Sequence, residues 1–325
     1  MPTENQPPVN RAKPDRWKAD IALSVDLYNN WFMQFAPVTF REARVRTTKQ
    51  VEDALKTTAN LTDIKPETLA ANPGVLPMLR MATCPPLARD RLVGLAGVSK
   101  NLVLRMEEGK MPVRFGAEAS AADLAKISTI IRKMADPDIF VWLDRKTTAT
   151  VEEVHRAATV VADRLCGAVA DPIVRNAQER RQLELIGKWL EARGYKKLEA
   201  GQGTKFDAMP PGTYSFRMNV PVKLEGGVKT VNIPIDAAIM PISVMQKELP
   251  LLIEAKSAGD FTNVNKRRKE EAQKMAQLRS TYGKQVRFAL FLCGYFDSGY
   301  LGYEAAEGID WVWEHRIDDL SQFGL

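Results

Sequence analysis

Apolar residues recur at helical spacing through the first half of the chain, from residue 15 to about residue 170, without a clear strand pattern. Prolines and turn signals divide this stretch, because proline removes a backbone donor and ends most helices. The pattern predicts helices at Trp17–Phe35, which ends before Pro37, and at Thr48–Ala59, Leu87–Leu95, Lys100–Glu108, Ala119–Met134 and Val151–Val169. We therefore expect residues 15–170 to form an all-helical domain.

The pattern changes after Asp171-Pro172, where we place the border to a second domain of residues 171–325. One more helix is predicted at 176–193, ended by Gly194 as its C-cap. It is followed by a hairpin at 215–223 and 228–238, a strand at 250–257, a helix at 264–282 and a strand at 286–296. The expected fold class is therefore mixed α+β, with an N-terminal all-helical region followed by an αβββαβ core.

Three charged residues coincide with two of the predicted strands. Asp236 lies near the end of one apolar run, and Glu254 and Lys256 are two residues apart in the next. Alternate residues of a strand point to the same face, so Glu254 and Lys256 project together while Ala255 turns into the core. If the two strands pair, Asp236 lies beside both. Two carboxylates then offer oxygen ligands to Mg²⁺, and the lysine can orient the attacking water or stabilise the charge developing on phosphate.

A Glu-x-Lys motif alone is a weak signal, because any half-exposed strand can carry one as a surface ion pair. The apolar strand Leu251–Ile253, the hairpin before it and the basic helix after it favour an active site over that alternative. Glu179 adds support, since a 100° spacing places it on the apolar stripe of Leu183 and Ile186 in the predicted helix 176–193. The alternative for Glu179 is that it only stabilises the helix N-terminus through the helix dipole.

These elements and motifs resemble the PD-(D/E)xK nuclease superfamily, whose core has the αβββαβ order and often carries an acidic residue on its first helix. Residues 16–21 (RWKADI), 28–32 (YNNWF) and 253–263 (IEAKSAGDFTN) resemble, more narrowly, the XamI-type family of Type II restriction endonucleases. The resemblance spans nearly the whole chain. The chain departs from the literal PD-(D/E)xK motif at one place, because Ile235 separates Pro234 from Asp236. The superfamily tolerates this spacing.

The resemblance implies Mg²⁺-dependent cleavage of both strands of DNA at a short palindrome, with a GTCGAC-type site suggested by the family. Asp236 and Glu254 would bind the metal, Lys256 would position the water and Glu179 would assist. We accordingly expect a homodimer whose functional, not physical, partner is a cognate DNA methyltransferase. A repair or mobile-element nuclease built on the same core is the alternative within enzymes.

Residues 88–109 have the pattern of a helix-turn-helix, in which a glycine breaks the first helix and Ser99 is placed to cap the second. In this arrangement Lys100, Asn101 and Arg105 lie on the face that a recognition helix presents to the major groove. Two packed helices joined by a short turn would have the same pattern. A rival function is therefore a helix-turn-helix regulator attached to an inactive nuclease-like domain.

A basic cluster opens the predicted helix 264–282. The apolar part of its core stripe begins only at Met275, so the first two turns extend past the sheet edge at the end where Lys256 lies. Positive charge there would neutralise phosphates that flank the cut. Contacts to the DNA are expected from Asn263, Asn265, Lys266, Arg267 and Lys269. The alternative is a solvated face, since Glu270 and Glu271 partly offset the charge.

Composition narrows the class of protein. The 325 residues carry a formal net charge of +6 and a pI of about 9.1, which favours a polyanionic partner. Residues 1–14 are polar and proline-rich, without the apolar stretch of a signal peptide, and we expect a disordered tail there. No run is long enough for a membrane span. Three scattered cysteines, with His155 and His315, indicate neither a zinc site nor a disulfide framework, so carboxylates and lysine are left for hydrolysis in a cytoplasmic protein.

Overall fold

The computed structural model describes residues 8–113, 117–145, 147–199, 204–223, 229–243, 248–262 and 264–325. The helices are α1 (Pro14–Thr57), α2 (Pro66–Ala71), α3 (Leu76–Met81), α4 (Arg89–Ala96), α5 (Lys100–Glu107), α6 (Ala117–Met134), α7 (Val151–Glu191), α8 (Val264–Tyr282) and α9 (Ser298–Ala306). The strands are β1 (Lys196–Lys197), β2 (Thr213–Lys223), β3 (Thr230–Met240), β4 (Leu251–Ala258), β5 (Arg287–Gly294) and β6 (Asp310–Trp313). Helices precede a mixed sheet, as predicted, and the order from α7 to β5 is the predicted one with the short β1 inserted.

The chain divides into two units: a sheet unit of residues 1–35 and 175–325, and a helical unit of residues 36–174. The chain passes between them within α1 and again within α7. Residues 15–35, which the sequence pattern assigns to the helical domain, thus cluster with the sheet. Leu79, Leu102 and Ile131 are fully buried in the core of the helical unit. In the described part of the chain, no helix has the length and apolar character needed to cross a membrane.

Both long helices continue through a proline. Pro37 lies inside α1 and Pro172 lies inside α7, so the helix end predicted before Pro37 is wrong, and α7 runs through the predicted border at 171–172. A proline in a helix interior costs about 3 kcal/mol. Packing on either side offsets this cost, since Tyr28 and Val51 of α1 are both buried in the cores of their own units. Tertiary packing therefore overrides the local signal.

The sheet follows chain order, from β1 to β6. Strands β2, β3 and β4 pair antiparallel, whereas β5 and β6 extend the sheet parallel to β4. One face packs against α7, where Ile253 joins the same core as Ile186. The opposite face packs against α8, where Leu252 joins the same core as Leu278. Because side chains alternate along a strand, the even-numbered residues of β4, among them Glu254, face α8.

The segment before α1 is packed against β6. Val9 and Asn10 are each 2% exposed. Their backbone amides donate to the carboxylate of Asp310 at 2.6 and 2.9 Å, and the Asn10 side chain donates to the Trp311 carbonyl at 2.8 Å. Residues 9 and 10, predicted to lie in a disordered tail, are therefore ordered because a buried carboxylate binds their amides. Residues 1–7 of that tail lie outside the described residues.

Candidate active site

Strands β3 and β4 bring the three predicted active-site residues together. The last register pair is Ala237 with Ile253, and Asp236 and Glu254 come directly after it on the two strands. The Asp236 carboxylate accepts a hydrogen bond from the Ala255 amide at 2.9 Å. Lys256 shares a face of β4 with Glu254, and its Nζ lies 3.1 Å from Glu254 Oε1. Ala255 packs on the opposite, α7 side of the sheet. The arrangement predicted from strand spacing is therefore present.

Helix α8 adds two charged residues that the strand motif does not contain. Glu271 is fully buried, and its Oε1 lies 3.1 Å from Lys256 Nζ. Lys274 Nζ lies 2.6 Å from Glu254 Oε1 and donates to the Pro234 carbonyl at 3.2 Å. The sequence signal was the i, i+3 spacing of Glu271 and Lys274 on the core-facing side of the helix, where charged groups need partners.

Burial, and then the charges of neighbouring side chains, shift the pKa values at this centre. Burial, and then repulsion from Glu254, raises the pKa of Asp236 to about 6, although the Ala255 amide and Lys256 act in the opposite direction. Burial on its own lowers the pKa of Lys256, but Glu254 and Glu271 more than compensate and raise it above its usual range. Burial also raises the pKa of Glu271, which Lys256 offsets only in part. Three carboxylates, those of Asp236, Glu254 and Glu271, thus lie beside only two lysines. This excess of negative charge favours binding of a further cation.

The two strand carboxylates fit a divalent cation. Oε2 of Glu254 is buried and has no hydrogen-bond partner among the described residues, whereas Oε1 contacts two lysines. A buried carboxylate oxygen without a partner is costly unless a donor or a cation reaches it. Over the described ranges, no group of three or more His, Cys, Asp or Glu side chains is placed to hold a metal ion. The donor set is therefore a pair of carboxylates, suited to a hard cation that keeps several waters.

A cleft of about 450 Å³ opens beside Asp236, and the third predicted acidic residue, Glu179, lines it. Glu179 Oε1 accepts hydrogen bonds from the Arg217 guanidinium at 2.9 and 3.1 Å. Arg217 has a φ of 54° in the middle of β2, a left-handed conformation that costs a non-glycine residue about 1–2 kcal/mol. Its neighbours Phe216 and Met218 pair with Ala237 and Ile235, the residues on either side of Asp236, so this strain lies beside the candidate site. Glu179 also raises the pKa of Asp236.

Gln182 of α7 forms hydrogen bonds to β4 and β5. Its side chain is 1% exposed and donates to the carbonyl oxygens of Phe291 at 3.3 Å and Lys256 at 3.4 Å. Ser257 donates to Gln182 Oε1 at 3.1 Å. These bonds connect β4, which carries Glu254 and Lys256, and the middle of β5 to α7. The sequence gives no motif for this glutamine.

The helix-turn-helix segment has the predicted local geometry. Helix α4 is followed by Gly97 in the left-handed conformation, with a φ of 61°. The Ser99 side chain accepts a hydrogen bond from the Leu102 amide at 3.1 Å and caps α5. The first half of the prediction, two helices joined by a glycine turn and a serine cap, is therefore confirmed.

The residues predicted to read DNA lie on the outer side of α5. Asn101 is exposed. Lys100 pairs with Asp90 at 3.3 Å, and Arg105 pairs with Glu108 at 2.7 Å. Both cations are thus engaged with carboxylates of their own unit, in exposed pairs that contribute only about 0–1 kcal/mol each and can be exchanged for other partners.

The basic start of α8 is described only in part. The helix begins at Val264, as predicted. Asn263 lies outside the described residues, and so do the side chains of Asn265, Lys266 and Arg267. Lys269 is exposed. It precedes Glu271 by two residues, so one helix carries an exposed cation and a buried charge of the candidate site within a single turn.

The chain is similar to known restriction enzymes along most of its length. Residues 59–313 match the XamI restriction endonuclease family. The Type II restriction enzyme SalI of Streptomyces albus G is 54% identical over 316 residues, which cover 97% of this chain and 99% of that enzyme. Protein VC1899 from Vibrio cholerae has a crystal structure that aligns with 85% of this chain and 55% of its own, at 15% identity and a TM-score of 0.29. Similarity at that level does not bear on fold or function.

Proposed function

Since the chain belongs to the XamI restriction endonuclease family and is a Type II restriction enzyme, we propose that it hydrolyses both strands of DNA at a short palindromic site with Mg²⁺ as cofactor. The sheet unit would be a PD-(D/E)xK nuclease core. A GTCGAC-type sequence is the candidate site, on the strength of the family resemblance. The substrate is double-stranded DNA in the cytoplasm. A cognate methyltransferase protects the recognition sites in the cell's own DNA.

The convergence of Asp236, Glu254 and Lys256 on adjacent strands carries this proposal. Mg²⁺ bound by Asp236 and Glu254 would supply Lewis-acid stabilisation and a water of lowered pKa. Lys256 is a compact ammonium beside those carboxylates, and its role is to orient the attacking water and to offset charge that builds up on the phosphate. Glu179, across the cleft, assists by adding negative charge near Asp236.

DNA binding is assigned to two elements. The first two turns of α8 and the loop before them would hold phosphates or bases through Asn263, Asn265, Lys266, Arg267 and Lys269. The helix-turn-helix in residues 15–170 would read bases through Lys100, Asn101 and Arg105. A palindrome has two-fold symmetry, so a homodimer matches one copy of these elements to each half-site.

Plasmid cleavage tests the proposal. The purified protein is incubated with supercoiled plasmids that contain or lack a GTCGAC site, in the presence of Mg²⁺, Ca²⁺ or EDTA. We expect discrete linear products with Mg²⁺, specific binding without cleavage in Ca²⁺, whose looser coordination positions water poorly, and no cleavage in EDTA. Full activity in excess EDTA would contradict the metal assignment.

The same experiment separates the alternatives. Structure-dependent nicking without site preference would indicate a repair nuclease. Binding without cleavage under every divalent cation would indicate a regulator with an inert nuclease-like domain. Discrete bands from a plasmid that lacks GTCGAC would support the restriction activity. Only the proposed recognition sequence would then be wrong.

A further inference from the structure

The two oxygens of Glu254 have different surroundings. Oε1 lies 3.1 Å from the Lys256 ammonium and 2.6 Å from the Lys274 ammonium. Oε2 is buried and has no hydrogen-bond partner among the described residues. Two cations on one oxygen fix the plane and direction of the carboxylate, so the other oxygen is held in one place.

Lys274 joins the two acid-bearing strands. Its ammonium donates to the Pro234 carbonyl of β3 at 3.2 Å and to Glu254 of β4 at 2.6 Å. Pro234 precedes Asp236 by two residues. A single side chain of α8 therefore connects the backbone near Asp236 to the carboxylate of Glu254. It does so just beyond the last β3–β4 register pair, Ala237 with Ile253.

Glu271 of α8 forms an ion pair with Lys256, as Lys274 does with Glu254. Its carboxylate is fully buried and lies 3.1 Å from the Lys256 ammonium. A buried ionised carboxylate is costly, and apolar residues would usually stabilise such an interface as well or better. Helix α8 nevertheless places Glu271 and Lys274 three residues apart, both directed at the Glu-x-Lys strand. A role in holding that strand's side chains accounts for this cost.

We propose that Glu271 and Lys274 are positioning residues of the active site: Lys274 orients Glu254 and ties β3 to β4, and Glu271 holds the ammonium of Lys256. The inference rests on the proposed nuclease function. Neither residue is assigned contact with DNA or with the reacting phosphate. Each acts through a residue of the strand motif, so its loss should lower the rate of the chemical step and leave DNA binding almost unchanged.

The kinetic test uses Lys274→Met, Lys274→Arg and Glu271→Gln, with Lys284→Met as a matched control that removes an exposed charge just after α8. We expect kcat to fall about 10- to 100-fold for Lys274→Met and Glu271→Gln, with KM for DNA within about threefold of wild type. Arginine can keep both hydrogen bonds of Lys274, so Lys274→Arg should recover most of the rate. Lys284→Met should match wild type. A wild-type kcat in Lys274→Met, with only a lower melting temperature, would overturn the assignment.

A double-mutant cycle tests whether Glu271 acts through Lys256. In a Lys256→Ala background, Glu271→Gln should lower the residual rate by less than about twofold, because the group that it holds is already gone. Independent, multiplying losses would overturn this part of the inference.

Side-chain ammonium signals in ¹H–¹⁵N NMR spectra give a readout that does not depend on cleavage. We expect slowly exchanging signals for Lys256 and Lys274, each assigned by its loss in the corresponding Lys→Met variant. Glu271→Gln should broaden the Lys256 signal and leave that of Lys274. Rapid, surface-like exchange of both would overturn the proposed contacts. If wild-type protein fails to cleave DNA but the signals behave as expected, the proposed function fails while the positioning contacts stand.

Discussion

A buried ion pair of the helical unit is matched one to one, whereas the buried charges of the candidate active site in the sheet unit share too few partners. Arg80 of the helical unit is 6% exposed and meets Glu107 through two hydrogen bonds of 2.7 and 2.9 Å. In the sheet unit, Glu254 Oε1 contacts two lysines while its Oε2 has no hydrogen-bond partner among the described residues. The first arrangement is complete within the chain. The second leaves one buried acceptor available to a cation or a donor.

This difference separates a structural ion pair from a candidate active site better than burial does, since both regions bury charged side chains. In the unmatched cluster, burial and then repulsion from Glu254 raise the pKa of Asp236 to about 6. Changes in the two regions should therefore differ in kind: one set should affect cleavage, the other stability or sequence discrimination.

The largest effect is expected from removing a strand carboxylate. Asp236→Asn or Glu254→Gln should lower Mg²⁺-dependent cleavage by at least about three orders of magnitude, because one of the two proposed metal ligands loses its charge. Single-turnover cleavage of a short duplex containing the site measures this. Cleavage within tenfold of wild type by either variant would remove that carboxylate from the metal site.

Asp236→Asn should also stabilise the metal-free protein. A carboxyl whose pKa is raised to about 6 in the folded state favours folding while protonated, and this contribution is lost as pH rises from about 4 through about 6. The variant should therefore be more stable than wild type at pH 8, by about 1–3 kcal/mol, and similar to it at pH 4. Thermal unfolding in EDTA at the two pH values measures the difference, and equal stabilities at pH 8 would contradict it.

Lys256→Ala ranks second. It should lower kcat by about 10²–10³-fold, in line with the removal of one preorganised group that stabilises transition-state charge. Affinity for the cognate site in Ca²⁺ should stay within about an order of magnitude, because both metal ligands remain. Near-normal cleavage by this variant would exclude the lysine from the mechanism.

The strand motif was accessible from sequence, because its geometry depends only on the two-residue repeat of a strand and on the pairing of neighbours. Glu271 and Lys274 were not, because their role depends on how α8 lies across the sheet. The two helices that continue through Pro37 and Pro172 were mispredicted for a similar reason: the local cost of proline is visible in sequence, but the packing that offsets it is not. A charged residue at a position where the helical period predicts an apolar one is the sequence signal that could have linked α8 to the site.

The matched pair of the helical unit provides the third prediction. Arg80→Met should destabilise the protein by about 3–5 kcal/mol, because Glu107 is left largely buried without its partner. The double variant Arg80→Met with Glu107→Leu should recover most of that loss, since two apolar side chains replace the pair. Chemical denaturation measures both, and cleavage by the folded fraction should be unchanged. A loss of kcat in the double variant at full folding would show that the helical unit takes part in catalysis.

The smallest effect concerns which unit reads the DNA sequence. If Asn101 and Arg105 contact bases, replacing both by alanine should reduce discrimination between the cognate site and a one-base variant by about 1–3 kcal/mol per lost contact. Replacing Lys266, Arg267 and Lys269 by alanine should instead weaken binding to all sequences alike. The slope of the logarithm of the binding constant against the logarithm of the salt concentration should become shallower by roughly one unit per lost contact. Binding in Ca²⁺ at several salt concentrations separates the two results. Unchanged discrimination in the Asn101 and Arg105 variant would make α4 and α5 a packing element, and base recognition would then fall to the sheet unit, where the loop between Gly259 and Asn265 lies nearest to the catalytic strand in sequence.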